Sequence, residues 1–374
     1  MKQSVLLIAS FAIVIGEACA QSSVTLYGTI DGGLMYQTSS AASFSPKAKN
    51  TGSIARYKDG GIYGSFWGMT GVEDLGGGYK ATFQLQSNFD TGTGKVGLGD
   101  TPGTATLFNQ VATIGATGPF GSLKLGRQYA PMILALTATD ARHAGYFGSI
   151  LTALVGINTA AGWPGTSTNG QLGSVYDSNA IVYTSPKFLG LSATLGYAPG
   201  GVAGSLQGNT RESAVLQYDN NGLKAAAIYY NGHDSNPTAT TVPTGLANNR
   251  FYSFSALYYI AGFTVSGSYS NGRNPAQSSA MNYDMISGGL GYRFTPAFAI
   301  DSGVYYLRDQ NHTQNQSTEY AVGANYNLSK STLVYANFGY VNNRGTMNQT
   351  IVYGQPVAPS VGTSAVMIGM RHGF

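Results

Sequence analysis

The segment YKATFQLQSNFD, residues 79–90, puts Ala81, Phe83 and Leu85 on one face of an extended chain and Lys80, Thr82, Gln84 and Gln86 on the other. Side chains along a strand alternate with period two, so this text reads as a strand with one greasy and one wet side. The pattern recurs. It begins with SSVTLYGTIDGGLMYQ, where Leu26, Ile30 and Leu34 oppose Thr25, Tyr27, Thr29 and Asp31, and it ends with TSAVMIGMRHGF; the segments number 16. An even set of strands about ten residues long, each apolar on one face and polar on the other, is the pattern of a transmembrane β-barrel.

The last segment sharpens that expectation. Val366, Ile368, Met370, His372 and Phe374 share a mostly apolar face with no further chain to cover it. In hydrocarbon every backbone N–H and C=O must be paired within the protein, so a sheet has to close on itself. If the last strand pairs with the first, this row meets lipid and Phe374 takes a place in an interfacial aromatic girdle.

The connections come in two alternating sizes. EDLGGG, TGPFG, PKFLG, DNNG, YIAG, RFTPA and LSKS are tight turns, whereas residues 91–105, 232–249, 308–317 and 343–362 are longer and polar. Short turns on one side and long loops on the other are the layout of bacterial outer-membrane barrels. Composition agrees, since only 10% of residues are charged and Tyr (26) outnumbers Phe (16), against about 25% charged in a soluble protein. Beyond residue 20 no apolar run approaches the 18 or so residues of a membrane helix.

The opening MKQSVLLIASFAIVIGEACA carries Lys2, an apolar stretch from Val5 to about Gly16, and Ala18-Cys19-Ala20. It reads as a secretory signal peptide over residues 1–20, leaving 21–374 as the barrel domain. The stretch is too short for a bilayer anchor, and Gly16 stands where a lipoprotein motif wants a bulky aliphatic residue. Cleavage would remove the one cysteine of the chain, and with it any disulfide or thiol chemistry.

Other function classes find little support. Net charge is +4 and scattered, too mild to suggest nucleic acid. His233 and His312 lie in the polar text NGHDSNP and QNHTQNQ, with no G-x-S-x-G or H-E-x-x-H context for a hydrolase. No metal cluster or cofactor motif is present in the text, and the many glycines read as turns and close strand contacts.

The segments SSVTLYGTIDGG, GVEDLGGGYKATFQLQ, FGSLKLGRQY and GMRHGF resemble, in order and over the whole mature chain, the trimeric general porins of Gram-negative outer membranes, closest to the β-proteobacterial branch. The resemblance implies a 16-stranded antiparallel transmembrane β-barrel with an inward-folded third loop and no cofactor. It implies a homotrimer surrounded by lipopolysaccharide, passive diffusion of ions and small hydrophilic solutes, and a terminal Phe374 read by the barrel-assembly machinery. Barrels of this size leave an aqueous channel.

The third loop falls at residues 130–178, and its start, APMILALTATDARHAGYFGSILTALVGI, is too apolar to lie free in water, which favours insertion over a surface position or a trimer contact. In the family, acidic loop residues face a ladder of wall arginines, and such charge rings sort ions. Asp140 is the acidic candidate, with Arg142 and His143 beside it. Wall positions where relatives carry basic residues hold Phe66, Thr70 and Val182 here, so the ladder is largely exchanged for neutral or aromatic groups. Arg127 matches the family, but alternation from Leu123 and Leu125 would aim it at lipid, so a bulge at Gly126 is expected to turn it inward.

Lys80 and Lys124 lie on polar faces, either at the constriction or merely wetting the lumen, and Arg56 is within reach from the first loop. Asp31 either pairs with a lumen cation or is hydrated. Tyr27, Tyr36 and Tyr63 read as girdle residues, and Glu73 and Asp74 as turn residues. The loss of ladder arginines and the gain of Phe66 leave open a solute-specific aromatic path, although dedicated sugar channels usually have more strands.

Overall fold

The structure, a computed structural model, describes residues 23–96, 106–160, 175–233, 248–274 and 281–374. The signal-peptide reading, and part of the loop at 130–178, lie outside the described residues. The extended segments are β1 (Ser23–Ala41), β2 (Asn50–Asp59), β3 (Phe66–Gly76), β4 (Tyr79–Asn88), β5 (Val111–Gly118), β6 (Gly121–Tyr129), β7 (Tyr176–Thr184), β8 (Leu191–Ala198) and β9 (Arg211–Asn220). They continue as β10 (Leu223–His233), β11 (Asn248–Ile260), β12 (Phe263–Asn274), β13 (Met281–Arg293), β14 (Phe298–Asp309), β15 (Gln316–Asn327), β16 (Thr332–Arg344) and β17 (Gly362–Gly373). Helices α1 (Pro131–Thr139) and α2 (Ile150–Ala160) lie between β6 and β7.

All strand pairs are antiparallel, and the sheet closes where β1 meets β17, from Thr29 opposite Gly373 to Gln37 opposite Ala365. β2 and β3 both pair along the other edge of β1 and form one interrupted stave, so the 17 segments make a closed 16-strand barrel. Thr29 pairs with Phe66 and Gly32 with Asp59, which leaves residues 60–65 opposite only Ile30 and Asp31. That surplus folds inward. β2 is absent from the sequence reading, which left residues 50–59 in the first loop: both of its faces are mostly exposed, so the text carries no clear alternation.

Burial follows the alternation. Along β1 Leu34 is 72% exposed on the outer face while its neighbour Met35 is 2% exposed on the inner one. The chain end behaves as a barrel seam requires: Phe374 and Gly28 exchange backbone hydrogen bonds of 3.0 and 3.1 Å, while Ile368, Met370 and Phe374 stay exposed on the outside. Outward aromatics gather near the short turns, with Phe263 against Tyr292 at 4.5 Å and Tyr292 against Phe294 at 4.8 Å between ring centres. Such rings suit the membrane interface, where an apolar body and a polar edge are both satisfied.

The buried core sits inside the barrel. Met132, Ile133, Ala135 and Leu136 of α1 and Ile150, Leu151 and Leu154 of α2 pack on inward side chains Val215, Ile228, Tyr230, Phe251, Met285, Tyr305 and Leu307. Pro131 opens α1 at a position where its missing N–H costs nothing, and the helix is apolar nearly all round, as a buried helix should be. The segment after β16 also turns inward: Met347, Ile351, Val352 and Val357 are fully buried, although its text reads as a long polar loop.

Candidate functional site

The inserted loop crosses the lumen and touches the opposite wall. Its tip meets the inward fold of the second stave, where Tyr146 N–H donates to the Ile62 carbonyl at 2.8 Å and the Tyr63 hydroxyl to the His143 carbonyl at 2.5 Å. The last long loop braces it from behind, with Gly148 N–H on the Ile351 carbonyl and Tyr353 N–H on the Tyr146 carbonyl, each at 2.7 Å.

Three acidic or basic residues that look free in the sequence build this bridge. Asp31 faces inward, but its carboxylate accepts the N–H groups of Gly61, Ile62 and Tyr63 at 3.0–3.1 Å and the Tyr335 hydroxyl at 2.8 Å. It therefore holds the inward fold; it neither pairs with a described lumen cation nor is hydrated, being 0% exposed. Asp140 is 3% exposed and accepts from Ala144 N–H and the Tyr305 hydroxyl, both at 2.9 Å. These bonds secure a turn in which His143 and Ala144 adopt φ of 54° and 52°, a left-handed conformation that costs most side chains energy. The structure thus sets Asp140 inside the loop, off the channel surface.

Arg142 is buried as well. It donates to the carbonyls of Phe147 and Gly148, to the Asn337 side chain at 2.9 Å, and to the Asp301 carboxylate in an ion pair. Its charge is spent on fastening the loop tip to β14 and β16. Gly148 is needed beside it, since its φ is +52° and a Cβ there would stand 2.3 Å from that of Ala321.

Cations that do face the lumen are others. A cavity of about 360 Å³ at the short-turn end is lined by Tyr63, His143, Arg293, Asp301, Asn325 and Arg371, among others. Among the described residues neither Arg293 nor Arg371 has an ion-pair partner, and Arg371 lies over the Tyr63 ring at 5.3 Å. The sequence reading missed both, yet alternation contains them: Arg371 falls between lipid-facing Met370 and His372, and Arg293 is in step with inward Tyr283 and Met285. Lys224, also inward, lies over Tyr259 at 5.8 Å.

Lys124 shares an inward row with Thr82 and Val182, and Lys80 lies one row nearer the turn at 76–78, opposite Asp74. Both stand in rows well on the short-turn side of Phe66. Phe66 and Thr70 share the inner face with Thr29 and Thr25. Arg127 follows Gly126, whose φ is +117°, and the pairing with β7 slips there. The side chain donates to the Asn109 carbonyl and Ser178 hydroxyl and lies 5.2 Å over the Tyr176 ring.

A second cavity, of about 230 Å³, separates α1 from the β3–β7 wall and is lined by Tyr63, Phe66, Tyr129, Tyr146, Tyr176 and Leu134, with Gln110 at its edge. Tyr63 borders both cavities. Tyr27 packs edge-on against Phe66 at 6.1 Å and belongs to an inward chain of Gln84, Gln86 and Gln110. Of the tyrosines read as girdle, only Tyr36 faces outward, at 48% exposure.

Comparisons with known proteins agree with this geometry. The chain is 29% identical to outer membrane porin protein 32 of Delftia acidovorans and 27% identical to an outer membrane porin protein of Bordetella pertussis, each alignment covering 100% of both chains. The fold matches an anion-selective porin from Comamonas acidovorans with a TM-score of 0.77 at 22% identity, over 95% of this chain and 100% of that one. It also matches OmpT of Vibrio cholerae in its trimer form with a TM-score of 0.68 at 14% identity, over 94% and 99%. The profile of Gram-negative porins matches residues 6–346, and the chain belongs to that family.

Proposed function

We propose that this outer-membrane porin passes small hydrophilic solutes with a preference for anions, set by cations other than the family's ladder. The observation that carries the reading is the charge of the lumen lining. Arg293, Arg371 and His143 border the cavity at the short-turn end, and the carboxylate there, Asp301, is neutralised by buried Arg142. Lys80 and Lys124 add positive charge in inward rows. An ion that sheds part of its water in a confined space feels such charges at close range. The likeness to a structure described as anion-selective fits this reading.

The protein acts as a channel and not as an enzyme. It assembles as a homotrimer, as the trimer form of its Vibrio cholerae neighbour suggests. Phe374, exposed at the barrel seam, is the group offered to the barrel-assembly machinery. Arg273, Arg308 and Arg344 stand exposed beyond the apolar band at the long-loop end, on the outward faces of β12, β14 and β16, where phosphate groups of lipopolysaccharide would meet them.

The test is the reversal potential of the purified protein in a planar bilayer across a tenfold KCl gradient. Anion preference is expected, shrinking as salt rises and screening shortens to about 3 Å at 1 M. A cation preference would overturn the assignment of the ruling charges. Absence of any conductance would overturn the channel reading itself.

A further inference from the structure

The cavity between α1 and the β3–β7 wall is unlike a path for inorganic ions alone. Five aromatic rings line it, together with Ile133, Leu134, Leu151 and Val175. Among its described lining residues there is no Asp or Glu. Its polar side chains are one amide, the phenols and the Thr137 hydroxyl; Gln110 and the Tyr129 hydroxyl are joined through the Gln86 side chain, at 2.6 and 3.4 Å.

No cation lines the cavity itself among the described residues, but two arginines stack on rings of its lining from outside it. Arg371 lies over Tyr63 at 5.3 Å and Arg127 over Tyr176 at 5.2 Å. A guanidinium held over a phenol presents its edge to an anion while the ring keeps the site dry on one side. Apolar walls, ring faces and cationic edges together select a solute that is flat, apolar and negatively charged. Volume restricts it further, because about 230 Å³ is below the roughly 300–1,000 Å³ of pockets that hold drug-sized ligands.

From this cavity we propose that the porin binds single-ring aromatic carboxylates on their way through the channel. The ring slots between Phe66, Tyr129 and Tyr176 on the wall and Leu134 on the loop, and the carboxylate points past Tyr63 to Arg371. The inference rests on the diffusion-channel reading and deepens it by naming a solute class. Binding of this kind is productive in a channel only when it is weak, since the solute must also leave. It raises flux at low solute concentration and saturates at high concentration.

The experiment uses the full-length protein in planar bilayers, with chloride conductance recorded first and sodium benzoate then added stepwise. Sodium acetate and benzyltrimethylammonium chloride serve as probes lacking the ring and the negative charge. Benzoate is expected to reduce chloride current saturably, and both controls to leave it in proportion to bulk conductivity. Arg371→Gln is expected to weaken the benzoate block about tenfold, the worth of one charge-assisted contact. Phe66→Leu keeps the wall apolar and tests the ring alone, with a weakening of several-fold expected from lost stacking. Chloride conductance without a saturable benzoate effect overturns this inference and leaves the channel standing, whereas no chloride conductance overturns the channel reading. Equal block by acetate, or no change in either variant, also overturns it.

Discussion

The guanidinium of Arg142 and the carboxylate of Asp301 form an ion pair between the tip of the inserted loop and strand β14, with the arginine side chain 4% exposed and the aspartate 22%. The same guanidinium reaches Asn337 on β16 at 2.9 Å, so one side chain ties the loop to two staves. Removing one member of a buried pair leaves the other uncompensated, at a cost of about 3–5 kcal/mol. Arg142→Ala is therefore expected to lower the melting temperature and to give larger, noisier conductance steps as the tip loosens. A variant with wild-type melting and quiet single channels would show that the loop is held elsewhere.

Asp140 separates a structural from an electrostatic role. Asp140→Asn keeps one acceptor oxygen for Ala144 N–H or the Tyr305 hydroxyl and removes the charge, while Asp140→Ala removes both bonds. Each lost buried bond is worth about 1–3 kcal/mol when its partner stays unsatisfied. The alanine variant should be distinctly less stable, and the asparagine variant should keep the reversal potential of the wild type. A marked shift toward anions in Asp140→Asn would place that carboxylate's field in the conduction path after all.

Charge reversal at Arg371 tests which cations govern selectivity. It lines the cavity at the short-turn end and stands over Tyr63, whereas Lys80 is exposed near a turn, opposite Asp74. Arg371→Glu should move the reversal potential toward cations, and Lys80→Gln should move it much less, because an exposed charge is screened within about 10 Å at 0.1 M salt. Equal shifts from both would mean that the lumen responds to net charge and not to position.

Much of the barrel is legible in the sequence because membrane strands obey a rule that is local: period two, a greasy face, a tight turn. Leu34 and Met35 differ in exposure by the whole range from neighbouring positions, as alternation requires. The site is less legible because its charged residues are sorted by tertiary partners the text does not display. Asp31, Asp140 and Arg142 look like free lumen charges, yet each is consumed by a segment far along the chain: Asp31 by Tyr335, Asp140 by Tyr305, Arg142 by Asp301. Arg371 and Arg293 obey the alternation, but they stand away from the positions where relatives carry their ladder. The inward course of residues 345–361 had no such signal, since its buried Met347, Ile351 and Val352 are scattered among polar residues.

Alkaline pH should loosen the bridge across the lumen. Tyr146 and Tyr353 stack at 4.6 Å where the inserted loop meets the last long loop. Burial pushes the Tyr146 phenol well above its ordinary range and that of Tyr353 up to about 12. In the unfolded chain both ionise near pH 10. The folded form therefore holds protons that the unfolded form has released between about pH 10 and 12, so stability is intact below pH 10 and falls as pH rises through that window. Melting temperatures measured at pH 8, 10 and 11 should be level over the first step and drop over the second. Tyr353→Phe cannot ionise, so its melting temperature should fall less between pH 10 and 11 than that of the wild type. Parallel curves for the two proteins would mean that the alkaline loss arises away from this stack.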